Sequence, residues 1–266
     1  MQKIRFFLTE LFYFFIKELR AVLFPALFII LLYISNHVTI HGLYRYDLLF
    51  IGAVLIQVVL IATKLETKDE AKTIFLFHIV GLCLELFKTS PAVGSWSYPE
   101  PGILKIAAVP LYSGFMYAAV GSYIAHAWKV LKLRLVNHPI YTTSLILCFF
   151  IYLNFFTNHF IPDFRILLFA AILILYRKTM LTFIPHKREY TISLPLGFLL
   201  VGFFVWIAEN IATFYGAWKY PGQIHEWHVV GLNKITSWFL LVIICFIIVA
   251  YLKHFKYEKS LKEPHH

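Results

Sequence analysis

Two short segments of the chain repeat the same four residues at the same spacing, and each follows a glutamate in an apolar stretch. Residues 94–99 read GSWSYP and residues 216–221 read GAWKYP, so both fit the pattern G-x-W-x-Y-P. Glu85 precedes the first motif and Glu209 precedes the second. A carboxyl group in apolar surroundings can give or accept a proton, and two such groups can divide the roles of acid and base. Glu85 and Glu209 are therefore the candidate catalytic residues.

The residue types in the two motifs are typical of loops that either line a pocket or anchor a protein at the membrane surface. The candidate binding residues within them are Gly94, Trp96, Tyr98, Gly216, Trp218 and Tyr220. Tryptophan and tyrosine favour the headgroup level of a bilayer, and glycine ends helices, which would explain simple anchoring. Anchoring alone does not require the same spacing twice with a glutamate upstream each time. The pattern therefore favours a pair of re-entrant loops that line a pocket.

Other polar residues accompany the glutamates. The further candidate binding residues are His78, Asn210 and Thr213. His78 lies two helical turns before Glu85, so it could line the same cavity, or it could be a core histidine bonded to a backbone carbonyl. The simpler alternative for the glutamates is that each makes one interhelical ion pair or hydrogen bond, for instance with Lys88 or Asn210.

The composition sets the class of protein that must position these residues. Hydrophobic residues make up 60% of the 266 residues and charged residues only 14%, whereas soluble domains average about 25% charged residues. The mean hydropathy is +0.74. These values exclude a soluble enzyme, a secreted disulfide scaffold and a disordered regulator. The net charge of +10 is carried by short clusters between apolar runs, which favours membrane lipids rather than nucleic acid as partners.

The apolar runs predict an all-α integral membrane protein with about eight transmembrane helices. Each run approaches the length of about 20 residues that spans a bilayer core, although the sixth is short. The predicted spans are Ala21–Asn36, Tyr46–Thr63, Ala71–Phe87, Ala108–Val130, Ile140–Thr157, Pro162–Tyr176, Ile192–Ala212 and Ile235–Lys253. Residues 1–20 are charged too often for a signal peptide and predict an amphipathic interfacial helix before the first span.

The basic residues predict the orientation of these spans. With the N-terminus inside, the cytoplasmic segments hold 18 of the 24 basic residues, and the opposite face holds six. The six are Arg45, Lys88, Lys105, Arg165, Lys219 and Lys234. This positive-inside asymmetry predicts a multi-pass protein with both termini in the cytoplasm and a basic cytoplasmic tail at 254–266.

The spacing of the two motifs predicts an internal repeat. They lie 122 residues apart, between spans three and four and between spans seven and eight. An offset of four helices is even, so the two halves share one orientation, as in a parallel duplication. We expect a single membrane domain over residues 1–266, with repeats at 21–130 and 140–253. Both motif loops would then lie on the outer face, where they could approach each other.

Several segments are similar to a bacterial family of multi-pass membrane proteins of unknown function, typified by YoaT of Bacillus. The resemblance covers essentially the whole chain and is carried by Glu85 with residues 94–99, 109–117, 120–123, 209–210 and 216–221. It implies a location in the bacterial cell membrane. The family has no established activity, so the resemblance implies no substrate.

A second, partial resemblance concerns about a quarter of the chain. The order of Glu85, Gly94, Trp96 and Tyr98, followed by Val109-Pro110, resembles bacterial carotenoid hydratases and membrane lycopene cyclases. That resemblance implies protonation of an isoprenoid double bond within the membrane, with Glu85 or Glu209 as the acid.

Two classes of function fit these residues, and a third remains open. One is acid/base chemistry, without a cofactor, on an isoprenoid or another lipid. The alternative is a proton-coupled transporter or a binding protein for a small molecule, in which the carboxyl groups carry protons or bind a cation. A structural membrane protein is the third. The chain has no Walker A, GxGxxG or HExxH motif, so we predict neither a cofactor nor a metal site. The oligomeric state is left open.

Overall fold

The computed structural model describes residues 2–262, and the chain is mostly helical. Within these residues it forms nine α-helices: α1 (Gln2–Ala21), α2 (Leu23–Ser35), α3 (Arg45–Ala62), α4 (Lys68–Lys88), α5 (Ser113–Val130), α6 (Tyr141–Thr157), α7 (Arg165–Tyr176), α8 (Leu194–Phe214) and α9 (Lys234–Lys262). By length and composition, α3, α8 and the part of α9 from Lys234 to Leu252 could cross a membrane. The prediction of a mainly helical chain is confirmed, and these three helices support a location in a membrane.

Each of the eight predicted spans overlaps one of the helices α2–α9, but some bounds differ. The fourth span was predicted from Ala108, whereas α5 begins at Ser113 because the residues before it form a hairpin. Helix α9 continues to Lys262, through most of the predicted tail at 254–266, and residues 263–266 lie outside the described residues. Helix α7 has 12 residues and is only about 18 Å long. Crossing by all eight helices therefore stays a prediction.

Five short strands occur in the described part of the chain, and none was predicted. Strands β1 (Lys105–Ile106) and β2 (Val109–Pro110) form an antiparallel hairpin before α5. Strands β3 (Arg134–Val136), β4 (Met180–Phe183) and β5 (Tyr190–Ser193) form an antiparallel sheet in the order β3-β4-β5. This sheet joins the loop after α5 to the loop between α7 and α8, so it ties the two halves of the chain together.

Helix α1 packs against the loop that connects β4 and β5. Glu10 is buried, and its carboxylate accepts hydrogen bonds from the backbone N–H groups of His186, Lys187 and Arg188 at 3.0–3.2 Å. Large apolar residues on α1, such as Phe12, remain exposed. A helix with one anchored polar face and one bare apolar face fits the predicted interfacial helix.

The closest contact between helices joins α4 and α5. A Cβ atom added to Gly81 would lie less than 3.0 Å from the ring of Tyr117, and one added to Gly121 would meet Phe77 equally closely. Such small residues let two helix backbones approach each other within a membrane. Helix α9 packs against α5, α6, α7 and α8. Its buried run extends from Phe239 to Ile247 without interruption.

Candidate functional site

Glu85 lies near the end of α4 and is the acceptor of a cluster of neutral donors. Its side chain is buried, with 2% of its surface exposed. Oε2 accepts hydrogen bonds from Trp96 Nε1 and from the Tyr98 hydroxyl, both at 2.7 Å. Oε1 accepts a hydrogen bond from the hydroxyl of Tyr117, on α5, at 2.8 Å. The carboxyl group is therefore held by one indole and two phenols.

The backbone after α4 turns sharply enough to bring the motif back onto Glu85. Gly94 adopts a φ of +56°, a left-handed conformation that glycine takes at low cost. The N–H of Gly94 donates to the carbonyl of Ser90, and the N–H of Ser95 donates to the carbonyl of Lys88. This turn at Gly94, a few residues after the end of α4, directs the next residues, including Trp96, toward the glutamate.

Glu209 forms a second cluster near the end of α8. It is also buried, with 3% of its surface exposed. Oε1 accepts a hydrogen bond from the Tyr220 hydroxyl at 2.5 Å, and Oε2 accepts one from Trp238 Nε1, on α9, at 2.7 Å. Gly216 has a φ of +68° and reverses the chain after α8, as Gly94 does after α4. The two glutamates thus share a glycine turn, a tyrosine and an indole.

The structure brings the two motif loops together. Ser97 and Lys219, the fourth residues of their motifs, form an antiparallel bridge. The N–H of each donates to the carbonyl of the other, at 2.9 and 3.0 Å. The rings of Trp96 and Tyr220 also meet edge to face, with centroids 6.1 Å apart. Equivalent positions of the two motifs therefore pair with each other.

One cavity of about 200 Å³ lies beneath the paired motifs and is lined by both Glu85 and Glu209. Its aromatic lining consists of Trp96, Tyr117, Phe155, Trp218, Tyr220 and Trp238. Leucine and methionine side chains complete the apolar wall, and a group of polar and basic side chains forms the rest. Drug-sized ligands occupy pockets of about 300–1,000 Å³, so this cavity suits one chemical group of a larger molecule.

The two loop tyrosines remain protonated donors. Burial, together with the adjacent carboxyl group of Glu85, raises the pKa of Tyr98 well above its ordinary value. Burial and the carboxyl group of Glu209 raise the pKa of Tyr220 in the same way. Because each phenol keeps its proton, each can donate a hydrogen bond to its glutamate. Tyr220 lines the cavity, whereas Tyr98 lies behind Glu85 and is not part of the lining.

His78, which was predicted to line the same cavity as Glu85, is not part of the cavity lining. Its ring packs against Phe115 with centroids 4.5 Å apart, and it faces Gly114 across the α4–α5 contact. Two helical turns separate it from Glu85, a rise of about 10 Å, and α5 covers this part of α4. Within residues 2–262 no hydrogen-bond partner of His78 Nδ1 is present. Nδ1 of His78 therefore does not make the hydrogen bond to a backbone carbonyl that the alternative interpretation predicted.

Asn210 and Thr213 hold the loop that follows the second motif and do not line the cavity. Asn210 Oδ1 accepts a hydrogen bond from the N–H of Val230 at 2.8 Å. The hydroxyl of Thr213 accepts one from Trp227 Nε1 at 3.1 Å. Both residues therefore position a segment of backbone, which is a different role from the predicted binding of a ligand.

Several residues that complete the site lie outside the candidate site residues of the sequence analysis. Tyr117 and Trp238 come from α5 and α9, outside both motifs, and supply donors to the two glutamates. Lys88, considered above as an ion-pair partner of Glu85, instead donates from Nζ to Asn158 Oδ1 at 3.1 Å. No signal in the sequence indicates these contacts, because each joins separate elements.

A family model described as a protein of unknown function (DUF817) matches residues 10–246. The chain belongs to this family. Uncharacterized protein YoaT of Bacillus subtilis (strain 168) is 49% identical over 246 residues, which cover 92% of each of the two chains. No solved structure matches the chain significantly. The predicted resemblance to the DUF817 family is thereby confirmed, whereas these comparisons do not show the resemblance to carotenoid hydratases and lycopene cyclases.

Proposed function

We propose that this DUF817 protein is a membrane enzyme that carries out acid/base chemistry on a lipophilic substrate, such as an isoprenoid or another lipid. One observation carries the proposal: two buried glutamates line a single cavity, and each is held by an indole and a tyrosine. Buried polar groups inside a membrane bundle are costly to keep and usually functional. Glu85 and Glu209 are its proton-transfer residues.

The hydrogen bonds support a defined path for the proton. In each glutamate, Oε2 receives an indole N–H, which can only donate, whereas Oε1 contacts only a tyrosine hydroxyl, which can donate or accept. Oε2 of Glu85 also contacts the Tyr98 hydroxyl, which does not line the cavity, so the proton that can reach a substrate resides on Oε1. It passes to the hydroxyl oxygen of Tyr117 or Tyr220 while that hydroxyl gives its own proton to a substrate in the cavity. Both tyrosines line the cavity.

We infer the finer topology as part of this proposal. Helices α2–α5 and α6–α9 would cross the membrane as two parallel four-helix repeats, with both termini in the cytoplasm of a bacterial cell. The basic residues support this orientation through the positive-inside pattern. The bridge between Ser97 and Lys219 supports the repeat, because those residues occupy the same place in the two motifs. The cavity would then open toward the outer leaflet.

Mass spectrometry of co-purifying lipids tests the enzyme. The full-length protein is purified in mild detergent as wild type, Glu85→Gln, Glu209→Gln and the matched control Glu100→Gln. Glu100 pairs with Arg45 and does not line the cavity. We expect a specific lipid to accumulate with either cavity variant and its chemically changed product to accompany wild type and the control. Identical lipid profiles from all four proteins would contradict the proposal.

Proton-coupled transport is the second candidate, favoured by titratable residues along the α4–α5 contact. Glu66 precedes α4, is buried and accepts a hydrogen bond from Ser122 at 3.1 Å, with His126 nearby. His78 lies midway along α4, and Glu85 lies near its other end. Uptake driven by a pH gradient into proteoliposomes, lost in both Glu66→Gln and Glu85→Gln, would support transport. If no lipid of a tested panel is transported in either direction, proton-coupled transport is excluded.

A further inference from the structure

The cavity carries three basic side chains from three separate elements. Lys88 is the last residue of α4, Arg165 is the first residue of α7 and Lys234 is the first residue of α9. All three line the cavity that also contains Glu85 and Glu209. The predicted topology leaves six basic residues on the outer face, so half of them converge on this one site.

Two of these cations make no close ion pair. Among the side chains that the structure describes, no carboxylate oxygen lies within 4.0 Å of the Nζ atom of Lys88 or of Lys234, whereas Arg165 pairs with Asp163 at 2.5 Å. Lys88 is buried, with 6% of its surface exposed. Lys234 Nζ lies 4.4 Å from the centroid of the Tyr220 ring. Leaving a buried cation without an anion is unfavourable, and a negatively charged ligand would remove this cost.

The neutral groups around the cations also suit an anion. Asn158, His159 and Ser237 line the same part of the cavity. Lys88 Nζ lies 2.8 Å from His159 Nε2. Burial and the positive charge of Lys88 lower the pKa of His159 below its ordinary value, so the imidazole is neutral at pH 7 and accepts this hydrogen bond. The helices that begin at Arg165 and Lys234 add the positive ends of their dipoles.

We propose that Lys88, Arg165 and Lys234 bind the phosphate group of an amphipathic ligand, whose apolar part extends into the bilayer. The proposal rests on the proposed function, in which the two glutamates carry protons. Three cations less the charge of Asp163 then leave two positive charges. A phosphate monoester carries about −1.5 to −2 at pH 7, a closer match than a carboxylate. The cavity of about 200 Å³ accommodates a headgroup but not a lipid chain.

Binding measurements on the full-length protein in detergent test this assignment. The probes are dioctanoyl phosphatidic acid, its phosphate-free counterpart dioctanoylglycerol and inorganic phosphate, with affinity measured by microscale thermophoresis. We expect wild type to prefer phosphatidic acid over dioctanoylglycerol. Lys88→Gln and Lys234→Gln should each weaken phosphatidic acid binding roughly tenfold, the loss of one hydrogen bond to a charged group. Lys105→Gln, which removes the same charge outside the cavity, should bind like wild type.

Two further variants separate charge from folding. Lys88→Arg keeps the positive charge and should retain most of the affinity, and thermal unfolding of each variant reports whether the protein is folded. Inorganic phosphate bound with the same dependence on Lys88 and Lys234 would support the site with a free phosphate as its ligand. Equal affinities of folded Lys88→Gln, Lys234→Gln and wild type would overturn the assignment, as would equal binding of dioctanoylglycerol.

The glutamate variants distinguish failure of this inference from failure of the proposed enzyme. Glu85→Gln and Glu209→Gln keep the three basic residues and a neutral group at each glutamate position, so both should still prefer phosphatidic acid over dioctanoylglycerol. Normal binding by the lysine variants, with turnover lost in the glutamate variants, would refute only the phosphate site. Phosphate binding that depends on the lysines, with lipid profiles unchanged in the glutamate variants, would refute only the acid/base chemistry.

Discussion

The clusters around Glu85 and Glu209 share a motif but differ in how fully each carboxyl group is bound. Glu85 accepts three hydrogen bonds, two from its own motif and one from α5. Glu209 accepts two, one from its motif and one from α9. A carboxylate offers about four acceptor positions. The same four motif residues therefore produce one nearly saturated carboxyl group and one that has room for a donor from a ligand.

The source of the indole explains part of this difference. Trp96 of the first motif donates to Glu85, but in the second cluster the indole comes from Trp238 on α9. Trp218, the counterpart of Trp96, is buried in the cavity wall. The glycine turn and the tyrosine contact are thus common to both clusters. The motif tryptophan donates to the glutamate only in the first cluster. A repeated motif fixes the path of the backbone more strongly than it fixes each contact.

Removing the two carboxyl groups gives the largest expected contrast. Glu85→Leu leaves three donors without an acceptor, two of them the buried tyrosines Tyr98 and Tyr117, and Glu209→Leu leaves two on partly buried side chains. Each unsatisfied donor costs about 1 kcal/mol. We expect the free energy of unfolding to fall by about 3 kcal/mol in Glu85→Leu and by about 2 kcal/mol in Glu209→Leu. Unfolding in mixed detergent micelles titrated with SDS measures both free energies. Glu85→Gln and Glu209→Gln serve as isosteric controls, and a larger loss in Glu209→Leu would reverse the comparison.

The aspartates near α3 and α7 give the next contrast. Asp47, in the first half, is buried and accepts hydrogen bonds from the N–H groups of Ile103 and Leu104, at 3.0 and 2.7 Å. Asp163, in the second half, is exposed. Asp47→Ala should cost about 2 kcal/mol because it leaves two backbone donors unpaired. Asp163→Ala should cost less than about 1 kcal/mol, as exposed ion pairs do. Equal shifts in the same unfolding assay would contradict this ranking.

The two motif glycines should respond alike. Gly94 and Gly216 both have positive φ angles, and an alanine there costs about 1 kcal/mol through its backbone conformation. A Cβ atom at Gly94 would meet no atom within 4 Å, and one at Gly216 would make only ordinary contacts at 3.7 Å. Gly94→Ala and Gly216→Ala should therefore lower unfolding stability by similar amounts. A difference well above 1 kcal/mol would show that the two turns are not equivalent.

Acid should produce the smallest effect of this comparison, through Asp163 in the second half. Burial alone favours protonated Asp163, but the N–H of Arg165 and the amide of Asn154 hold its pKa below the ordinary 3.8. A lowered pKa in the folded state stabilises the protein above pH 3.8, and this contribution disappears as the pH falls through the lower value. Thermal unfolding of Asp163→Asn should therefore depend less on pH below 3.8 than wild type does. If the unfolding temperatures of wild type and Asp163→Asn fall in parallel below pH 3.8, this prediction is wrong.

The sequence predicted the parts of the site that are close along the chain. Glu85 and Tyr98 are 13 residues apart and belong to one helix end and its loop, so motif spacing could place them together. Tyr117 lies 32 residues from Glu85, and Trp238 lies 29 residues from Glu209, on helices whose packing partners are not encoded in local spacing. The sequence placed Lys88, Arg165 and Lys234 on one face of the protein but did not predict that they line one cavity, because they come from three separate helices.

The fold followed a similar division. Apolar runs located the helices α2–α9, because burial or contact with lipid demands long apolar segments. Strands of two to four residues, such as Arg134–Val136, are too short to show a reliable alternation of polar and apolar residues. The apolar pair Val109-Pro110 was read as helix but forms β2. Short elements that depend on a distant partner are thus the ones that local patterns missed.

The glycine contacts between α4 and α5 also determine which parts of the molecule can move. At Gly81 and Gly121 the two helices lie too close for either to slide without a clash, so they behave as one rigid body. This body carries Glu85 and Lys88, whereas Arg165 belongs to α7 and Trp238 to α9. All four of these residues line the cavity, so a displacement of α7 or α9 relative to this body would change the distance of Arg165 or Trp238 from Glu85 and Lys88, and with it the shape of the cavity.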